Sequence, residues 1–431
     1  MTWLCRLLGV GGLALLGVTW KLWTPQDVFP RVPLFAWAPP RWWDWASLAA
    51  LIAGLTGLCL PVRWRRLSAA AVAGGFAVQF LADQHRLQPW AWQFFILAVV
   101  IALADDRLVF RGWFSLVLMI YLWSALSKTD DAFFSQFAAI LGKAWLTPVG
   151  VIGLKWTPLG YQFIHRLAHD LAILPVVIET TVLILAIFVR TRRWAFRLSA
   201  LMHLFLIMLL GPWGMGHQPG VLVWNLFFIA QNALLFSDRS TMLASCDRWI
   251  CDRPLAGRWP GVRRWTTEVL LTFVMFWPAL EPWGYCDAWL GWAVYVPRFH
   301  RVEVWIDRTS RERLPAATQT YCETYRGLVD MSSGWNRFIE VKTGAMSLGT
   351  LGAPNYPNHR LQVSFALDWQ QRYDIDKMDL QLFQRKDRFQ PEFKFDSTLS
   401  TPAEIEAYAR TFRVNALPES VLRRRAEERA R

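Results

Sequence analysis

Nothing in the sequence repeats. No internal duplication is visible, and no pair of broken apolar segments stands at matching positions, so the plan on which many secondary transporters are built is missing. Cysteine is scarce: six residues fix no redox compartment, and the Cys246–Cys251 spacing has no second pair to complete a metal site. Histidine is nearly as scarce, at seven. His165 and His169 stand at i and i+4 on one helix face, a spacing that suits a metal, but no third and fourth ligand follow at motif spacing, so no metal is expected. A small-residue cleavage site is also lacking behind the first apolar run. Arg6 precedes most of that run and Lys21, Trp23 and Pro25 close it, which reads as a retained helix rather than a signal peptide.

What the chain does have is apolar residues in blocks. At 54% hydrophobic, 431 residues would make one large soluble enzyme only if those residues were dispersed. They gather instead in runs at about 4–22, 45–62, 67–82, 89–104, 109–126, 170–189, 195–211, 220–236 and 266–283, each long enough for a helix to approach or cross a bilayer core of about 30 Å. The 27 Trp collect near the ends of these runs, as at Trp42, Trp43, Trp45, Trp64, Trp90, Trp92 and Trp113, where an amphipathic ring sits among headgroups. A soluble all-α core needs no such anchors. The net charge of +13 lies in alternate links: Arg63, Arg65 and Arg66; Arg107 and Arg111; Arg190, Arg192, Arg193 and Arg197; and Arg239 to Arg264. That pattern is the positive-inside rule rather than a nucleic-acid surface. It predicts a membrane all-α bundle of about nine transmembrane helices over 1–283, in a bacterial inner membrane, with a cytoplasmic N-terminus and a periplasmic C-terminal part.

Beyond about 285 the texture changes to a soluble α+β domain over 284–431. Val302, Val304 and Ile306 alternate with polar neighbours, as do Leu361, Val363, Phe365 and Leu367, and MDLQLFQ at 378–384 is similar; all three are expected as strands. Thr401-Pro402 before AEIEAYARTF carries the N-cap and first-turn proline of a helix, and the RRRAEERAR tail reads as a solvated or frayed end. Cys286 and Cys322 fall on the outer side, where a disulfide could persist.

Ionisable groups within the bundle are expensive and mark sites or buried pairs. His85, His165, His169 and His217 fall at the outer boundary, and Lys128 closes the fifth run on the same side, followed by Asp130 and Asp131. Glu179 is expected about 13 Å deep, at 1.5 Å per residue, with His203 at comparable depth, and a Glu179–His203 pair would neutralise both and relay a proton. Pro175, four residues earlier, removes a backbone donor and kinks the helix there. Each residue also has a plainer reading: Lys128 snorkels from a helix end, Glu179 is a structural partner, and His203 is a core histidine bonded to a neighbouring helix.

The order DQHRLQPW, SALSKTDDAFF, ILPVVIETTVLILAIFVRTRRW and LMHLFLIMLLGPWG resembles the HTTM domain, the transmembrane module related to vitamin K-dependent γ-carboxylase, over about 1–240. It is also similar to the smaller DoxX and MauE membrane families. The resemblance implies that Lys128, in Ser127-Lys128-Thr129-Asp130, is a base toward a reduced quinone, that Asp83-Gln84-His85 stands for the family's Asn-Asn-His element, and that Met202-His203 stands for its Phe-His element. It thus implies His85, Glu179 and His203 as catalytic partners of Lys128, with Asp83, Gln84 and Asp130 on the cofactor side. The family's paired lysine is missing, and the C-terminal part is far too short for the carboxylase's substrate-gripping domain, so glutamate carboxylation itself is not expected. An apolar pocket favours the free amine over the ammonium, and a free amine is a base toward a quinol hydroxyl. The competing expectation is a non-enzymatic scaffold whose outer domain binds a protein partner, with the intramembrane polar groups holding helices together. Convergence of those groups at one depth separates a site from scattered structural bonds.

Overall fold

A backbone wrapped in apolar side chains must satisfy its polar groups within its own segment, and each of the nine apolar runs does so as a helix. The computed structural model describes residues 1–60, 62–130, 133, 134, 137, 139, 140, 142, 144, 158–236, 260–294, 301–324, 337–375, 377–384 and 394–431. Cys246, Cys251, Asp131 and the basic residues of the 237–259 link lie outside the described residues, as does the side chain of His165. The bundle helices are α1 (Thr2–Val18), α2 (Trp42–Cys59), α3 (Arg65–Ala82), α4 (Pro89–Leu103), α5 (Asp106–Ser127), α6 (Pro158–Leu171), α7 (Leu174–Ile187), α8 (Arg192–Leu210), α9 (Pro219–Phe236) and α10 (Pro260–Phe276).

Among the described residues four helical stretches are long and apolar enough to cross a membrane: Asp106–Ser127, Arg166–Ile187, Val189–Leu210 and Pro219–Phe236. α1 and α4 are apolar but shorter. The others open on polar or ring-bearing turns, Trp-Trp-Asp-Trp in α2, Arg65-Arg66 in α3, and Arg263-Arg264 in α10.

The helices close a ring. α1 packs on α2, α2 on α3, α3 on α4, α4 on α5, α5 on α7, α7 on α8, α8 on α9, and α9 returns to α1, while α10 packs outside on α4 and α5. The α2–α3 crossing is close because it is lined with small residues. A Cβ on Gly54 would stand 2.7 Å from the Ser68 carbonyl oxygen, and one on Gly75 would stand 2.9 Å from that of Ser47.

The ring has two different ends. At one, Arg65 pairs with Asp106 at 2.5 Å, Arg66 donates to the Ala104 carbonyl and Arg263 to that of Ala102. The other end carries the 24–41 segment, the 83–88 link and the C-terminal unit.

That unit is a five-stranded antiparallel sheet in the order β2-β3-β1-β4-β5, from β1 (Arg301–Asp307), β2 (Cys322–Thr324), β3 (Phe338–Val341), β4 (Met378–Gln384) and β5 (Lys394–Leu399). Val304 stands opposite Val341 on one side and Leu380 on the other. The helices are α11 (Thr343–Leu351), α12 (His359–Tyr373), α13 (Pro402–Ala409) and α14 (Glu419–Ala430). Thr401 and Glu404 form the full capping box of α13.

Two expectations are corrected. RLQVSFALDW is part of helix α12, not a strand: Asn358 caps it, and Arg360, Ser364 and Asp368 recur at i, i+4 and i+8. Every residue from His359 to Trp369 except Gln362 is buried, so the alternation of Leu361, Val363 and Phe365 does not separate an inner face from an outer one. The basic tail is solvated but helical, not frayed: it is anchored by buried Glu419, Val421 and Leu422 and by Arg423–Glu419 and Arg424–Glu428 pairs four residues apart. Cys286 and Cys322 are separate thiols.

Candidate functional site

Ionisable and amide groups of the bundle gather on one face of α5. Tyr121, Ser124 and Lys128 follow at i, i+3 and i+7, with Lys128 as the C-cap. Lys128 Nζ donates to Glu179 Oε1 at 2.9 Å and Oε2 at 3.0 Å, and to the Ser124 carbonyl at 3.1 Å. Ser124 Oγ, which also touches Nζ, donates to Glu179 Oε1 at 3.0 Å. Both partners are buried, Lys128 at 5% and Glu179 at 8% exposure, so the ammonium and the carboxylate answer each other with little help from solvent.

Pro175 explains why Glu179 reaches Lys128. It stands in the first turn of α7, after the break that ends α6, and so starts a helix instead of kinking one. Glu179 then lies in the second turn of α7, level with the end of α5 and nearer the end of the bundle than the sequence suggests.

His203 does not meet Glu179. Its Nε2 lies 3.0 Å from the Tyr121 hydroxyl and its Nδ1 2.7 Å from Asn225 Oδ1. Asn225 Nδ2 donates to the Val221 carbonyl at 2.8 Å, which turns Oδ1 toward the histidine and makes Nδ1 the protonated nitrogen. Nε2 is then the acceptor for the Tyr121 O–H. Asn232 Nδ2 donates to the same Tyr121 oxygen at 2.8 Å and to Ser199 Oγ at 3.2 Å. The His203 ring stacks on Phe228, 4.8 Å between centroids. This cluster lies roughly 10 Å along α5 from Lys128, seven residues at 1.5 Å each. Gln93, Gln231, Trp113 and Trp224 continue the polar seam, with bonds of 3.0 and 3.1 Å.

Tyr121, Ser124, Asn225 and Asn232 were not among the sequence candidates. A signal was present: Asn225 and Asn232 stand seven residues apart on one face of an otherwise apolar helix, as Tyr121 and Lys128 do on α5.

Asp83, Gln84 and His85 have other partners. They form a short turn with Arg86, all buried, against which the C-terminal unit docks. Asp83 Oδ1 accepts from the backbone N–H of His85 at 3.1 Å and Val32 at 3.4 Å. Burial raises its carboxyl above the ordinary value, against the pull of Arg86. Gln84 Nε2 donates to the Asn415 carbonyl at 2.7 Å and that of Pro33 at 2.9 Å, while its Oε1 accepts from Arg360. His85 Nε2 stands 3.1 Å from Ser347 Oγ, which gives its own proton to the Ala353 carbonyl. Burial pushes His85 down from 6.5 to about 4, so it is neutral here. Arg86 grips Asp44 at 2.5 Å, Arg31 shares that oxygen at 3.0 Å, and Arg31 reaches Glu419 of α14 at 3.3 Å.

Of the remaining candidates, Asp130 accepts from the Phe133 backbone N–H at 2.7 Å, and His169 is exposed beside Asp170. Among the described residues no three His, Cys, Asp or Glu side chains converge as metal ligands. The bundle thus brings Lys128 and Glu179 together with Ser124, sets His203 in a neighbouring cluster, and assigns Asp83, Gln84 and His85 to the seam between bundle and C-terminal unit. Comparison of the chain with protein-family models, with curated proteins and with solved structures returned no match in any of the three.

Proposed function

We propose that the chain is a multi-pass membrane protein of the HTTM and carboxylase-like kind, in which Lys128 and Glu179 exchange a proton with the hydroxyl of a quinol or another amphipathic lipid. The observation that carries this reading is the Lys128–Glu179–Ser124 cluster, one buried ion pair at the end of α5 with a hydroxyl already bonded to it. An ammonium and a carboxylate in contact hold one mobile proton. When it passes to Glu179, Lys128 is a free amine and takes the proton of an incoming hydroxyl, which leaves the quinolate beside a fresh ammonium. Ser124 Oγ stands where such a hydroxyl would bond. The Tyr121–His203–Asn225 chain, two turns deeper, is suited to hold a second polar group of the ligand or to pass a proton along α5.

In this reading the chain crosses a bacterial inner membrane about nine times, with the arginine-rich end cytoplasmic and the C-terminal unit periplasmic. Support comes from the alternation of the helices between two ends, since the 62–66, 102–106 and 260–264 segments meet at one and the 83–88 link meets the C-terminal unit at the other.

The second reading is a non-enzymatic scaffold. It is favoured by the docking seam, where every polar side chain from Asp83 to Gln88 bonds within the protein and none is offered to a ligand.

Lipid mass spectrometry of the full chain in mild detergent separates the two. Wild type is expected to retain one quinone, and Lys128→Ala and Glu179→Gln to lose it while still inserting in the membrane. Quinone in none of the three proteins would remove the redox reading, and retention by Lys128→Ala would move any quinone away from this pair.

A further inference from the structure

A cavity of 760 Å³ lies where the bundle meets the C-terminal unit, well within the 300–1,000 Å³ typical of small-molecule sites. Its floor comes from the ends of α3 and α4 and the turn after α10: Ala77, Phe80, Leu81, Trp92, Phe95 and Trp277. Trp92 stacks on Phe95 and meets Trp277 edge-on, which makes a rigid apolar wall.

The roof comes from the C-terminal unit and is polar. Asp287 there is cancelled: Arg360 grips both of its oxygens, and Tyr356 and Asn358 donate to it at 2.7 and 3.0 Å. Glu281 is buried in the wall. His359 bonds to the Tyr408 hydroxyl at 3.1 Å. Arg413 differs from these. It is exposed, its guanidinium lies 4.1 Å over the ring of Tyr285, and among the described residues it has no carboxylate partner. Trp283 and Tyr285, 69% and 57% exposed, flank the cavity as rings do at a membrane–water boundary.

We propose that this cavity binds an anionic phospholipid, with a hydrocarbon chain against the Ala77–Phe80–Trp92–Phe95 floor and the headgroup phosphate on Arg413. The gradient from apolar helix ends to a polar roof is that of one lipid leaflet, and the cation without a carboxylate stands on the headgroup side. A zwitterionic lipid brings an ammonium of its own beside the phosphate and so gains less from Arg413, a lipid without phosphate would leave Arg413 unanswered, and a soluble anion would leave the floor wet. The proposal does not rest on the Lys128–Glu179 reading, because neither residue lines this cavity.

The test uses the full chain in mild detergent, with native mass spectrometry after addition of dioleoyl-phosphatidylglycerol or dioleoyl-phosphatidylcholine. Wild type is expected to retain one phosphatidylglycerol about fivefold over phosphatidylcholine, the contribution of one interfacial cation. Arg413→Gln should abolish the preference while chain binding persists. Ala77→Trp, which fills the floor from a half-buried position, should reduce retention of both lipids. The double variant Lys128→Met with Glu179→Leu, which removes the other site without stranding a charge, should change neither. Equal retention of the two lipids by wild type, a preference that survives Arg413→Gln, or loss of phosphatidylglycerol in that double variant would each overturn the proposal, the last by moving the lipid to the other site. Should Ala77→Trp fail to purify, the Arg413→Gln comparison decides alone.

Discussion

Lys128 and Glu179 leave water together, and their desolvation is repaid only while both are present. Removing one member of a buried pair strands a charge and typically costs about 3–5 kcal/mol, whereas replacing both with apolar residues of similar size is often neutral or stabilising. Lys128→Met and Glu179→Leu should therefore each lower the melting temperature of the detergent-solubilised chain by many degrees, and the double variant should recover most of the loss. A double variant as weak as the singles would mean that the pair is not the closed unit its bonds of 2.9 and 3.0 Å describe. His203 sits in a different balance, because its neighbours fix a neutral ring with one nitrogen donating and the other accepting. His203→Gln keeps one donor and one acceptor and should cost less than His203→Leu, which strands Tyr121 and Asn225. Interhelical bonds of this kind average about 0.6 kcal/mol, so the difference should be a fraction of that produced by breaking the ion pair. Equal losses in the two His203 variants, measured by the same melting assay, would remove the assigned bonding pattern.

The 83–88 turn is the element on which bundle and C-terminal unit depend together, and His85 makes that dependence sensitive to pH. With its value at about 4 in the fold against 6.5 when free, the unfolded chain takes up the proton first as pH falls. Stability is therefore full above pH 6.5 and is lost as pH drops toward 4, at up to about 1.4 kcal/mol per unit. Asp83, raised by burial, works in the opposite direction, but it does so with or without His85. Wild type is thus expected to lose a few degrees more than His85→Gln in melting temperature between pH 7.5 and 5.0, and parallel losses would show that His85 is not held neutral in the seam. The turn also shows where sequence reasoning reached and where it stopped. Nine of the ten bundle helices were legible as apolar runs, and α6 was not, because no apolar run covers it. Asp83, Gln84 and His85 were recognisable as unusual, but their partners Asn415, Arg360 and Ser347 lie more than two hundred residues away, and no local spacing reveals such a pairing. α12 failed for a related reason: its polar stripe of Arg360, Ser364 and Asp368 is buried, with Arg360 bonded to Asp287 and Asp368 to Ser420, and the alternation of Leu361, Val363, Phe365 and Leu367 outweighed it in the sequence.

For the whole molecule the decisive quantity is how many of the helices cross. Length and apolarity single out four stretches, and of the last three helices α8 and α9 are among them while α10 is not. α10 opens with Arg263 and Arg264 and carries Glu268, so it either sinks its charged first turns at the arginine-rich boundary and crosses with the remainder, or lies along the surface. The bundle favours crossing. Arg263 bonds to Ala102 at the arginine-rich end, Trp123 near the far end of α5 donates to the Met275 carbonyl at 2.8 Å, and the turn after α10 lines the cavity beneath the C-terminal unit. α10 thus runs the length of α5, which is itself long enough to span. Three crossings between the α7–α8 turn and the C-terminus put those two points on opposite sides, whereas two put them on the same side. Cysteines introduced as Arg190→Cys and Arg431→Cys, both at exposed positions, report this directly when intact spheroplasts are treated with a membrane-impermeant maleimide against the parent chain as background. Arg431→Cys should label in intact cells and Arg190→Cys only after permeabilisation. Labelling of both, or of neither, before permeabilisation would leave α10 outside the membrane core and reduce the count to an even number. The C-terminal unit and the 83–88 link to which it is bonded would then face the side opposite to the one assigned by the arginine pattern.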